Sequence, residues 1–163
     1  MRKTFFLWVL MMCFLVINGQ SQDQPNMYKT GIGVRLGVYP GFSFKYFASP
    51  VSALELIGQS KFNGVIGTVL YEAHFKPFNA KRFSWILGMG GHLARYPAGK
   101  LKDPDGQIYE NAVTTVGIDG IFGFEYVFET APLTLGLDIK PFFDMINPGP
   151  NFFDAAATIR FAF

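Results

Sequence analysis

The sequence predicts an all-β chain: an eight-stranded antiparallel up-and-down transmembrane β-barrel with its apolar face outward. Three observations carry that expectation. Eight successive segments alternate apolar residues with small or polar ones, the period of a strand with two unlike faces. From Thr30 onward no segment shows a helical period. The two faces also differ in bulk. One collects aromatic and branched side chains, the other glycine, small residues and charges.

The strands follow in order. The first, about 29–38, sets Ile32, Val34, Leu36 and Val38 against Gly31, Gly33, Arg35 and Gly37, and Tyr39-Pro40-Gly41 turns it. The second, about 41–48, sets Phe42, Phe44 and Tyr46 against Ser43 and Lys45. The third, about 51–61, sets Leu54 and Leu56 against Glu55 and Gln59, and Asn63-Gly64 is a hairpin signal. The fourth, about 64–75, sets Val65, Val69, Tyr71 and Phe75 against Thr68, Glu72 and His74. After a turn at 76–82 the fifth, about 82–94, sets Phe83, Trp85, Leu87, Met89 and Leu93 against Ser84, Gly88, Gly90 and His92. One long loop follows, about 95–112. The sixth, about 113–128, sets Val116, Ile118, Phe122, Phe124, Tyr126 and Phe128 against Thr115, Asp119, Gly123 and Glu125. The seventh, about 132–143, sets Leu133, Leu135, Leu137 and Ile139 against Thr134, Gly136, Asp138 and Lys140. Pro141 interrupts it, because proline cannot donate to a ladder; the strand bulges or turns irregular there. A loop with Asn147-Pro148-Gly149-Pro150 leads to the last strand, 153–163, where Phe153, Ala155, Ala157, Ile159, Phe161 and Phe163 alternate with Asp154, Ala156, Thr158, Arg160 and Ala162.

The first residues stand apart. Arg2 and Lys3 precede an apolar run at 5–17, and Asn18-Gly19-Gln20-Ser21 follows, the layout of a secretory signal peptide over 1–21. The run is too short for a spanning helix, which takes about 20 residues. Cleavage after Gly19 or after Ser21 fits equally. A polar periplasmic lead-in at 22–28 then opens a single barrel domain at 29–163. Cys13, the only cysteine, lies in the leader behind Met11 and Met12, where a lipoprotein signal wants a small residue. Removing 1–21 takes away Arg2 and Lys3 and no acid, so 14 basic residues become 12 against 12 acidic ones. No basic surplus remains to suggest nucleic acid as a partner.

Alternation alone does not say which face is outside. A soluble lipocalin-like barrel puts the apolar face inward; a membrane barrel puts it in lipid. Volume favours the second, since eight strands enclose a space just wide enough for side chains to fill. Trp85 and the aromatics of the sixth strand are too bulky to point inward together. The opposite face then forms a lumen whose charges nearly balance: Arg35, Lys45, Lys140 and Arg160 against Glu55, Glu72, Asp119, Glu125 and Asp138. Enclosed charges must pair. With both termini periplasmic, Tyr46, Tyr71, Phe75, Phe83, Trp85, Tyr126, Phe128, Phe161 and Phe163 gather toward that side as an aromatic girdle. The 95–112 loop faces the exterior.

The last strand, with Phe163 at the terminus and Phe161 and Ile159 behind it at alternate positions, resembles the C-terminal strand by which Gram-negative outer-membrane β-barrels are recognised for assembly. The chain as a whole is similar to the small eight-strand outer-membrane proteins typified by outer-membrane protein X and the barrel of outer-membrane protein A. That resemblance implies an outer-membrane location and a surround of lipid and lipopolysaccharide. It also implies handling by the barrel-assembly machinery, with Ile159, Phe161 and Phe163 as the signal. It names no extracellular partner.

The chemistry expected beyond the barrel is sparse. His74 and His92 face the lumen near opposite ends, too far apart to share a metal ion. A lipid-modifying enzyme, an acyltransferase or deacylase acting on lipopolysaccharide, needs Ser and His in hydrogen-bond reach. Ser84 and His92 share a face eight residues apart, and neither Ser43 nor Ser52 has a histidine that must be near. Asp103, Asp105 and Glu110 offer oxygen ligands but lack a calcium loop's spacing, and Asp-Pro-Asp-Gly suits a tight turn. The expectation is a non-enzymatic barrel without cofactor or metal and with a plugged lumen. A lipid-modifying enzyme and a soluble ligand-binding barrel are the alternatives.

Overall fold

Eight strands form: β1 (Thr30–Gly37), β2 (Gly41–Ser49), β3 (Ser52–Lys61), β4 (Gly64–Phe75), β5 (Phe83–Tyr96), β6 (Val113–Val127), β7 (Leu133–Ile146) and β8 (Phe153–Ala162). Each pairs antiparallel with its neighbour in sequence, and β1 closes on β8, so the sheet has no edge. The structure is a computed structural model describing residues 28–77, 80 and 82–163. The expected leader at 1–21, and the expected lead-in except Tyr28, lie outside the described residues.

The faces sort by the alternation. On β3, Ala53, Glu55, Ile57 and Gln59 are buried while Leu54 and Leu56 are exposed. The outer wall is apolar except near the mouth: Phe42 is 70% exposed, Met89 62% and Leu137 43%. Both described ends of the chain lie at one end of the barrel, where the Thr30 amide donates to the Phe163 carbonyl at 2.8 Å. This end is called the base below; the opposite end, with the 97–112 loop, is the mouth.

Closure depends on a close approach at the seam. Gly33 pairs with Ser43 on one side and Arg160 on the other. A Cβ there would lie 1.9 Å from the Ile159 carbonyl oxygen and 2.6 Å from the Arg160 Cα. Gly33→Ala must part β1 from β8, and the expected loss is about 1–3 kcal/mol, typical of overpacking. The urea midpoint of the folded barrel measures it; an unmoved midpoint would show that the seam has slack.

Three local features differ from the sequence expectation. The β3–β4 turn is Phe62-Asn63, both at positive φ (53° and 59°), one residue earlier than Asn63-Gly64. Gly64 instead opens β4, where a Cβ would meet the Tyr96 ring at 2.3 Å, so glycine admits that ring. The long loop begins at 97, not 95, because β5 runs two residues further and pairs Arg95 with Thr114. Arg95 therefore points outward near the mouth, with its guanidinium on the Thr114 hydroxyl at 2.7 Å. Finally, β7 continues through Pro141 to Ile146. The Phe142 amide faces β8, donating to the Phe152 carbonyl at 2.9 Å. Alternate residues face opposite neighbours, so the missing Pro141 donor faces β6. Pairing with β6 skips residues 140 and 141 there, and the register shifts further along, between Val116 and Gly117.

Candidate functional site

The inward residues form two charge clusters with apolar groups between and above them. In the base cluster Arg160 is the hub. Its Nη2 bonds Glu55 Oε1, its Nη1 donates to Glu125 Oε2 at 2.9 Å, and its Nε donates to Ser43 Oγ at 2.8 Å. Ser43 in turn donates to Glu55 at 2.5 Å. Lys45 Nζ lies 2.7 Å from Glu72, 3.3 Å from Glu55 and 3.6 Å from Glu125. Two cations thus face three carboxylates, and a neutral donor, the Tyr28 hydroxyl, adds a bond to Glu125 Oε1 at 2.7 Å.

Tyr28 closes the base. It packs edge-on against Phe47, with ring centroids 5.0 Å apart, in a cluster with Ala53 and Ala162. Burial, then the adjacent Glu125 charge, pushes its phenol far up, so it remains a donor at any ordinary pH. The last residue of the expected lead-in is thereby part of the barrel interior.

A band of Ile57, Leu70, Ile86 and Ile121 borders the base cluster. Toward the mouth, Arg35 grips Asp138 with two bonds, 2.6 and 2.5 Å, and reaches Asp154 at 3.3 Å. Asp154 also accepts from Gln59 Nε2 at 2.8 Å and the Tyr39 amide at 3.2 Å. Beside it, Lys140 donates to Asp119 at 2.9 Å. His92 lies between Asp119, 2.8 Å from Nδ1, and Asp144, 2.9 Å from Nε2. Tyr39, Ile66, Ala94, Tyr96 and Leu101 cap this end, and Leu101 comes from the long loop. Burial pushes the Tyr39 phenol up to about 12. A cavity of about 420 Å³, counting its opening to solvent, remains under the cap beside His92 and Asp144.

All nine charged residues expected in the lumen thus point inward, and each has an oppositely charged partner. Seven further side chains take part: Asp154, Asp144, His92, His74, Gln59, Ser43 and Tyr28. Asp154 was legible as an inward position of the last strand. Asp144 was not, because the expected seventh strand stopped at 143. The inward aliphatics carry no signal that separates them from outward ones except strict parity along each strand.

The nine aromatics expected as a girdle lie on the outer wall. Phe83, Trp85, Phe122 and Phe124 form one contiguous ring cluster, with centroids 5.3–6.2 Å apart. Tyr126 meets Phe128 at 5.2 Å and Phe161 meets Phe163 at 6.1 Å. Phe75 lies opposite Trp85 in the ladder. Tyr46 lies beside Leu54, and Tyr71 follows it in the same cross-strand row. Ile159 is outward and 47% exposed.

One sequence reading of chemistry changes, and another, the tight turn at Asp-Pro-Asp-Gly, is seen in place. Ser84 does meet a histidine, but it is His74: Ser84 Oγ is 3.4 Å from Nδ1, and Nε2 is 3.1 Å from Glu72. The β4–β5 register brings them together, which a search along one strand misses. The Asp-Pro-Asp-Gly segment is a hairpin tip. Asp103 accepts from the Gln107 amide at 2.7 Å, Lys102 bridges Ile108, and Gly106 takes the positive φ of 87°. Among the described residues, no group of three or more His, Cys, Asp or Glu side chains is arranged to hold a metal ion.

The fold and its inner wall define the class: a closed, eight-stranded, antiparallel up-and-down β-barrel with a paired-charge interior. No family model and no curated protein matches the sequence. Among solved structures, the chain superposes on the crystal structure of the N-terminal β-barrel domain of Pseudomonas aeruginosa OprF with a TM-score of 0.65. The match covers 82% of this chain and 96% of that one at 13% identity, a likeness of fold.

Proposed function

We propose that this chain is a non-enzymatic integral outer-membrane barrel of the outer-membrane protein A type, carried to the periplasm by its N-terminal leader. The observation that carries the reading is the outer wall. Ile32, Phe42, Leu56, Met89, Ile139 and Phe161 are each about half exposed or more, on strands spread around the barrel. A water-facing surface of this kind is an aggregation hazard; a lipid-facing one is a requirement. Charges on the strands turn inward, apart from Arg95 at the mouth.

The lumen is plugged. Arg35, Lys45, Glu55, Glu72 and Arg160 are at most 2% exposed, and two aromatic caps close the ends, so little bore is left. The barrel acts through its mouth loops or as a structural element of the membrane. Its surround is lipid and lipopolysaccharide, and Ile159, Phe161 and Phe163 present the assembly signal to the barrel-assembly machinery.

The test is a gel of the outer-membrane fraction, boiled and unboiled. The expected result is a faster-migrating unboiled band, the mark of a closed detergent-resistant barrel. Recovery in a soluble fraction without detergent, with no shift, would turn the barrel inside out. The Ser84–His74–Glu72 string supports a second reading, a lipid-modifying enzyme with Ser84 as nucleophile. Lipid A mass that is the same with the wild-type chain and Ser84→Ala would remove it.

A further inference from the structure

We propose that His92 is the bolt of a proton-operated latch at the barrel mouth, tying β5 to β6 and β7 and holding the 147–152 loop closed while its ring carries both protons. The two carboxylates favour that form. Nδ1 hydrogen-bonds Asp119 Oδ2 at 2.8 Å, and Nε2 lies 2.9 Å from Asp144 Oδ1 as an ion-pair contact out of hydrogen-bond alignment. A neutral imidazole presents a lone pair at one of its two nitrogens. Between two carboxylates, only the imidazolium has a proton at both nitrogens and a charge for both to attract.

The local charge agrees. Asp119 and Asp144 are balanced by Lys140, 2.9 Å from Asp119, only if His92 supplies the second positive charge. The other titratable groups lining the same cavity are Tyr39 from the β1–β2 turn and Tyr96 from β5 itself. On β4, the residue paired with His92 is the neutral Thr68. From β3 comes the neutral Gln59, bonded to Asp154 of β8, which is already held by Arg35. Among the described residues, no further carboxylate or cation shares the two nitrogens.

The surroundings are fitted to the ring. A Cβ at Gly117 would lie 2.4 Å from the imidazole Cε1, so glycine there makes its space. Phe142 stands edge-on at 5.6 Å. The latch also lies at the register shift of the β6–β7 ladder, between Val116 and Gly117. Asp144 passes the tie onward: its Oδ2 accepts the Gly149 amide at 2.8 Å. A Cβ at Gly149 would lie 3.3 Å from Leu101 Cδ1, so the two mouth loops meet there. Once the ring loses a proton, Asp144 loses the positive charge beside its Oδ1 and keeps only the Gly149 amide on Oδ2. A buried carboxylate left with one neutral donor turns to water and takes the 147–152 loop with it. The latch is therefore closed at low pH and opens as pH rises through the histidine titration.

The experiment uses the full, isotope-labelled barrel in lipid nanodiscs. Histidine ring nitrogen shifts report the protonation of His92, and the exchange protection of the Gly149 amide, corrected for intrinsic rate, reports the loop. As pH is raised through the histidine titration the two are expected to change together, with protection falling about tenfold or more. In His92→Gln protection is low and flat with pH. Should that variant fail to fold, Asp144→Asn keeps the Asp119 bond and is expected to show the same flat, low protection. A His92 with one ring proton at about pH 6, or Gly149 protection that ignores the His92 titration, would overturn the latch.

Discussion

Arg160→Met is expected to destabilise the barrel by about 3–5 kcal/mol, the cost of removing one partner from a buried ion pair. Arg160 is 2% exposed and serves Glu55, Glu125 and Ser43 from strands β3, β6 and β2. Without it, three buried carboxylates share Lys45 alone. The methionine fills most of the volume, so the loss is electrostatic and not a cavity effect. Urea unfolding in a lipid bilayer, followed by the fluorescence of Trp85, gives the number. Adding Glu55→Gln is expected to recover part of it by removing one stranded charge. A single-variant loss below about 1 kcal/mol would mean that water reaches this cluster and screens it.

Ile139→Arg is expected to cost about 2–4 kcal/mol in the same assay, the penalty for arginine at the bilayer midplane. Ile139 lies on the outer wall of β7 between Phe122 and Ala155, near the middle of the strand. Leu93→Arg provides the comparison. It is outward on β5, two residues from Arg95, and near the mouth, where the same change costs about 0–1 kcal/mol. The difference between the two positions carries the meaning. Two small, equal effects would place this wall in water.

Parity was the legible part. One inward residue on each strand assigns all its neighbours, which is why Arg35, Lys45, Glu55 and Arg160 could be placed inside from the sequence. Partnership was not legible, because it depends on register, and register depends on turns. The Phe62-Asn63 turn, one residue from the expected place, sets which residue of β4 faces Glu55 on β3. Ser84 and His74 met for the same reason. Tyr28 and Leu101 come from segments with no alternation, so no pattern could have sent them into the barrel. Pro141 was legible as an irregularity inside the strand; β7 passes it because the donor it lacks points toward residues 120 and 121 of β6, which have no partner on β7.

The seam between β1 and β8 has a kinetic consequence. Gly31 meets Ala162 and Gly37 meets Ala156, so the first and last strands of the barrel must find each other across the whole chain. Contacts of such separation form late and slowly. The bond from Arg160 to Ser43 spans 117 residues and that to Glu55 spans 105. Until the seam shuts, the guanidinium of β8 and the carboxylate of β3 stand on opposite margins of an open sheet, each still hydrated. The bonds of Arg160 to Ser43 and Glu55 and the closure of the barrel therefore arrive together, and an assembly intermediate stalled before it carries that guanidinium wet.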